Sequence, residues 1–280
     1  MSMNVKKYME LIATSRPRFW LYLAGPALVG AAYGIDTIAG LMRIEVVLII
    51  LYFLVPANFL VYGINDIFDS KIDQKNPKKK SKETQYRGGI GLPILVISSV
   101  ILGVILMSML TMNSIPWMIG FLFLSWAYSA PPFRFKTKPI LDSCSNILYI
   151  FPGVITYIVV SGSNPPWLAI IGGCFWAMAM HTFSAIPDIV PDRESKIETL
   201  ATSLGQMGSI VYCGSCWLIA SVLFAMVDIR LGMLLSIYLV VLGVIVLRKT
   251  EIGVAYWWYP RINAIVGFLL VIGGLLRIAT

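Results

Sequence analysis

An apolar run ends in three carboxylates and a carboxamide, Asn65, Asp66, Asp69 and Asp73. Asp66, Asp69 and Asp73 fall at i, i+3 and i+7, and Asn65, Asp69 and Asp73 at i, i+4 and i+8. Either set stacks oxygen donors along one helix face. Asp69 and Asp73 are about 6 Å apart along such a helix. Carboxylates that close repel, and a divalent cation relieves the repulsion. An all-oxygen donor set suits Mg²⁺, which keeps several waters and is shared with substrate phosphates. The bland reading, a solvated helix end, leaves four polar residues beneath a basic loop without a role.

A second acidic pair, Asp188 and Asp192, closes another apolar run, where Pro187 and Pro191 mark a bent or broken helix end. His181, Ser184, Asp188 and Asp192 lie at i, i+3, i+7 and i+11, one helical stripe. The chain's single histidine therefore faces the same space as the aspartates, two turns deeper. It reads either as a packing residue or as a general base. Together the two clusters predict a two-sided cation site.

Cations flank both clusters. Arg16 and Arg18 stand at the mouth of the first apolar run and fit interfacial anchoring or diphosphate contact equally. Lys71 and Arg87 bracket a lysine-rich loop that serves as a membrane anchor, with phosphate covering as the second reading. Tyr128-Ser129-Ala130-Pro131-Pro132-Phe133-Arg134-Phe135-Lys136 stops a helix at its proline pair. Tyr128, Arg134 and Lys136 there either reach inward to phosphate or form a plain turn. Asp142 and Asn146, at i and i+4, make a further inward-facing polar pair. Tyr62, Phe68, Tyr149, Tyr157, Phe175, Trp176 and Phe183 are spaced to line an apolar tunnel or to be membrane core.

These residues need elements to hold them, and the composition says which. The chain of 280 residues is 58% hydrophobic and 13% charged, with mean hydropathy +0.80. That excludes an ordinary soluble domain and describes a polytopic helical membrane protein. Nine apolar runs of suitable length are expected, at about 19–35, 46–66, 93–111, 117–130, 139–160, 166–186, 204–226, 231–247 and 260–277, the fourth the shortest. Net charge is +8, but the cations cluster in connecting segments, which speaks for topology and anionic lipid or phosphate, with no nucleic-acid partner. With a cytoplasmic N-terminus only Arg43, Arg230 and Arg277 fall outside, leaving 19 of 22 basic residues inside. Both acidic clusters then lie at the cytoplasmic side. Cys213-x-x-Cys216 lies within a span and reads as packing rather than a redox or zinc motif. Ser70-Lys71-Ile72-Asp73 echoes Ser195-Lys196-Ile197-Glu198, a faint internal repeat.

The chain resembles the UbiA-type intramembrane prenyltransferases. The resemblance rests on Asn65-Asp66-x-x-Asp69-x-x-x-Asp73, on Asp188-x-x-x-Asp192 and on Tyr128-Ser129-x-Pro131-Pro132-x-Arg134-x-Lys136, and spans nearly the whole chain. It implies a single transmembrane domain over 1–280, all-α, with its helices in a ring around a cavity open toward lipid. It implies Mg²⁺ as cofactor, held by Asn65, Asp66, Asp69, Asp73, Asp188 and Asp192, with Asp69, Asp73, Asp188 and Asp192 central to catalysis. Arg16, Lys71, Tyr128, Arg134, Lys136 and Lys196 become the expected diphosphate-binding set, and Asp142, Asn146 and His181 the acceptor-side residues. Ser15-Arg16-Pro17-Arg18-Phe19-Trp20-Leu21-Tyr22-Leu23-Ala24-Gly25-Pro26 and Ala185-Ile186-Pro187-Asp188-Ile189-Val190-Pro191-Asp192-Arg193-Glu194 are similar to the lycopene elongase branch. Lys196 stands where many members carry a third acid. The expected reaction is prenyl transfer from an allylic isoprenyl diphosphate to a lipophilic acceptor in the cell membrane. Lycopene leads, with a quinone-ring precursor or a glycerol-phosphate ether lipid as alternatives. An ion-coupled transporter is the rival class, since intramembrane acids also mark ion pathways. Transporter sites favour the bilayer midplane, whereas these acids lie at helix ends among Lys and Arg.

Overall fold

Backbone groups in a bilayer find no water to bond, so apolar runs of this length must satisfy themselves as helices. The computed structural model describes residues 3–73 and 88–279, and every regular element among them is helical. After a leading helix, Met3–Thr14, come α1 (Leu21–Gly34), α2 (Ile44–Ser70), α3 (Gly91–Met107), α4 (Ile115–Ser129), α5 (Leu141–Ser161), α6 (Trp167–Glu194), α7 (Leu200–Val227), α8 (Ile229–Leu247) and α9 (Ile252–Ile278). Six of these are long and apolar enough to cross a membrane alone, and α3 and α4 are shorter apolar helices. Nine apolar elements match the nine runs of the sequence. The shortest is α1, with 14 residues against 15 for α4. The first run spends its opening residues in a 3₁₀ turn, Pro17–Phe19.

Proline shapes the two helices that carry the acids. Pro56 has no N–H to give, and α2 breaks there into Ile44–Leu54 and Pro56–Asp73. Asn58, fully buried, repairs the break: its Nδ2 donates to the carbonyls of Phe53 and Leu54, both at 3.0 Å. In α6, Pro187 imposes a 3₁₀ turn at Ile186–Asp188 between the helical stretches Trp167–Ala185 and Ile189–Glu194.

The helices pack as a ring. One core cluster joins α1 to α5, with Leu23, Phe53, Leu60, Phe121 and Ile155 fully buried. A second joins α6 to α9 around Phe183, Trp217, Tyr238 and Tyr259, whose last three rings stack with centroids 5.6–6.3 Å apart. Cys213 and Cys216 are buried free thiols in that core. Helices α1 and α5 touch backbone to backbone: a Cβ on Gly30 would lie 2.1 Å from the Gly153 carbonyl oxygen. The ring closes where α9 packs on α1, with Arg277 donating to the carbonyls of Tyr33 and Ile35 at 2.9 Å. Outward faces carry exposed apolar side chains such as Ile101, Val104, Val211, Val222, Val240 and Phe268, as lipid contact requires.

Helices α2 and α6 run in the same direction and bring both acidic pairs to one end. Arg43, which donates to Val160 O at 3.4 Å, marks the opposite end. Asp228, between α7 and α8, caps α8 and pairs with Arg230 at 2.7 Å, and those hydrogen bonds hold its carboxyl below the usual range.

Candidate active site

A cavity of about 310 Å³ opens inside the ring at the acidic end. Helix α2 contributes Asn65 and Asp69, and α6 contributes His181, Ser184, Asp188 and Asp192. All four members of the α6 stripe reach the cavity although the 3₁₀ turn interrupts the helix between them. Tyr128 enters from α4, Asn146 and Tyr149 from α5, Arg16 and Lys136 from the connections. Of the two spacings the first cluster allowed, the Asn65–Asp69 stripe is the one that faces inward. Asp66 points away from that face, is 2% exposed, and accepts from Arg16 Nη2 at 2.9 Å.

Cations from two connections meet the α2 aspartates. Lys136 Nζ pairs with Asp69 Oδ2, and Arg134 Nη2 reaches Asp69 Oδ1 at 3.5 Å. Arg16 lies over the Tyr62 ring, 4.8 Å from its centroid. Both arginines precede a 3₁₀ turn and adopt left-handed backbone, with φ of 52° at Arg16 and 43° at Arg134. A non-glycine residue there costs about 1–2 kcal/mol, and the conformation turns each guanidinium back over the cavity mouth. Such strain, held by surrounding structure, is typical of ligand-handling segments.

Asn65 Nδ2 donates to Ser129 Oγ at 3.1 Å. In this arrangement the amide oxygen is left as the donor atom available to a cation. Among the described residues no three His, Cys, Asp or Glu side chains converge closely enough to enclose an ion by themselves. The donor set still fits a hard cation that keeps waters and phosphate oxygens in its shell: carboxylates from two helices and one amide oxygen border a shared space. Among the described residues that line the cavity there is no Cys, and the one His, His181, stands two turns from Asp188.

Away from the mouth the wall turns apolar, with Phe19, Val61, Leu148, Ala177 and Met180. Of the expected tunnel aromatics, Tyr62, Tyr149 and Trp176 line it. Phe68 is exposed and Phe183 is core instead. His181 meets the Tyr128 ring edge-on, centroids 5.8 Å apart.

Several expected site residues lie elsewhere. The side chains of Lys71 and Asp73, and all of Arg87, fall outside the described residues. Lys196 is exposed and does not line the cavity, although its neighbour Ile197 does. Asp142 is a correction: it was expected to face inward with Asn146, but it stands behind the wall, 1% exposed. Its Oδ2 accepts from Leu200 N at 2.9 Å, capping α7. One turn of helix separates the two residues, but Asp142 lies in the short first helical segment of α5 and Asn146 in the 3₁₀ segment that follows. Among the lining residues that escaped the sequence reading are Tyr22, Ser125, Thr137, Tyr256 and Asn263. A lone carboxamide within the apolar run 260–277 was the signal that could have found Asn263. Its Oδ1 accepts from Tyr238 at 2.7 Å.

A helical ring that encloses an apolar chamber with acids and cations at one end defines an intramembrane enzyme for phosphorylated lipid precursors. The UbiA prenyltransferase family matches residues 20–275, and the chain belongs to that family. It is 52% identical to the lycopene elongase/hydratase of Haloferax volcanii, across 96% of this chain and 89% of that protein. It is 48% identical to the lycopene elongase/hydratase of Halobacterium salinarum, across 95% and 96% of the two chains. Its fold is similar to that of a UbiA homolog from Archaeoglobus fulgidus bound to DMAPP and Mg²⁺, with a TM-score of 0.80 over 97% of this chain and 99% of that one at 19% identity.

Proposed function

We propose that this prenyltransferase joins a C5 unit from dimethylallyl diphosphate to the end of lycopene. The observation that carries the reading is the polarity of one cavity: acids and cations at its mouth, apolar side chains beyond. Diphosphate binds at the mouth, and hydrocarbon fills the rest. The relatives' names supply lycopene as the acceptor.

Asn65, Asp69, Asp188 and Asp192 would hold Mg²⁺, with Asp73 completing the first motif. When bound, Mg²⁺ neutralises charge that develops on the departing diphosphate. Lys136, Arg134 and Arg16 lie within reach of the same oxygens. In this structure they pair with Asp69 and Asp66, so substrate binding exchanges a carboxylate partner for a phosphate one. Arg134 offers a planar fork and Lys136 a compact charge. Tyr128 lines the same cavity, with its ring edge-on to His181. The apolar wall keeps bulk water from the allylic cation.

Membranes containing the chain, given dimethylallyl diphosphate, lycopene and Mg²⁺, should release diphosphate and form an elongated carotenoid, and a chelator should stop both. Elongation of an aromatic quinone precursor instead would replace the acceptor and keep the reaction. No diphosphate release with any acceptor would return the site to an ion pathway. We further propose that the acidic end faces the cytoplasm of the cell membrane, as the basic residues dictate.

A further inference from the structure

We infer that His181, backed by the buried carboxylate of Asp142, holds a water molecule that captures the last carbocation of the reaction and accepts its proton. This rests on the prenyl-transfer reading above and on the hydratase half of the relatives' names, and what it adds is the residues that would carry that step.

His181 lines the cavity, seven residues or ~10 Å along α6 from Asp188. Asp142 does not line the cavity, yet its Oδ2 lies 3.8 Å from His181 Nε2. That carboxylate is 1% exposed. Its Oδ2 is engaged by the Leu200 N–H, while its Oδ1 meets no donor among the described residues. A buried acceptor left so is costly, and a protonated imidazole beside it is the charge it can stabilise. A neutral imidazole that turns its Nε2 proton toward Asp142 keeps its lone pair on Nδ1.

The surroundings suit one water rather than many. A buried water needs two to four polar partners. Tyr128, whose ring meets that of His181, and Asn146 line the same cavity. Asn146 Nδ2 is tied to Asp142 O at 2.6 Å, which leaves its own oxygen as an acceptor. Met180 and Ala177 continue the wall as apolar surface.

The chemistry closes. The C–O bond to diphosphate breaks and its electron pair leaves with diphosphate. The π pair of the acceptor's terminal double bond forms the new C–C bond, leaving a tertiary cation a bond or two from the new linkage. With diphosphate at the acids, that carbon would lie on the side of the cavity where His181 stands. A water oxygen lone pair forms the C–O bond, and the proton of the resulting oxonium passes to His181 and later to solvent. The imidazolium in between faces Asp142. His181 thus touches the reacting water, and Asp142 is a positioning residue that acts through it.

The test uses the full chain in membranes with dimethylallyl diphosphate and lycopene, and reads the ratio of elongated alcohol to elongated alkene. Wild type should give mostly alcohol. His181→Phe should lower the ratio at least tenfold with diphosphate affinity within twofold. His181→Gln, which can still hold a water but is no base, should fall between. Asp142→Asn keeps an acceptor for Leu200 N and should shift the ratio the same way. Added to His181→Phe it should change nothing further, whereas a purely structural role would add its own loss of turnover. A wild-type product without hydroxyl, or a ratio within twofold in both His181 variants, overturns the inference and leaves elongation standing. No elongated product from wild type would instead bring down the parent reading.

Discussion

At the residue scale the mouth is a set of paired charges. Asp69→Asn and Asp188→Asn each remove charge that faces the cavity without removing volume. Each should lower turnover by more than ~10²-fold, the size of loss seen when a group stabilising developing charge is deleted. Thermal stability in detergent should stay near wild type, and diphosphate release at saturating Mg²⁺ checks the activity. Arg134→Lys keeps the charge and loses the fork. Turnover should fall roughly tenfold or more, since a hydrogen bond to a charged group contributes about 1.5–3 kcal/mol, while Lys136 still holds Asp69. Unchanged turnover would remove Arg134 from diphosphate handling. The α2 and α6 acids were legible because helical periodicity fixes which side chains share a face. The partner of each cation was not. That Arg16 meets Asp66 and Arg134 meets Asp69 depends on two left-handed residues whose conformation no periodicity encodes. Asp142 misled for a related reason: an i, i+4 pair shares a face only while the helix stays regular.

At the element scale, proline and glycine decide where helices break and how closely they approach. Asn58→Leu should leave the Phe53 and Leu54 carbonyls without their donor where α2 breaks. The expected loss is about 1–3 kcal/mol per orphaned group, read as a lower Tm in detergent, and an unchanged Tm would argue that water takes the place of the amide. Gly30→Ala drives a Cβ to 2.1 Å from the Gly153 carbonyl. Neither backbone can yield without separating α1 from α5, so this variant should unfold at markedly lower temperature. Gly25→Ala, with open space around it, is the matched control. The number of spans and their rough limits were readable from apolar runs, because length and hydropathy set them. The α1–α5 contact was not, since a glycine pair in two distant runs carries no mark of partnership.

For the whole molecule, the basic residues predict direction and the structure puts the exceptions at one end. Cysteines placed at Lys138 and Lys249 should react with a membrane-impermeant thiol reagent only when the cytoplasmic face is open. Cysteines at Thr37 and Ser163 should react from outside. Lys138 and Ser163 labelling from the same face would break the span order.

The seam between α9 and α1 gives the chain a clock. These helices begin at Leu21 and at Ile252, so α2 to α8 are all made before the wall that carries Asn263 can dock. Until then the chamber lies open along one side, where lipid and water enter freely and an allylic cation would be quenched at once. A ribosome-bound intermediate therefore holds every acid of the mouth yet lacks a dry place to use it. Reactivity would arrive only when α9 has docked on α1.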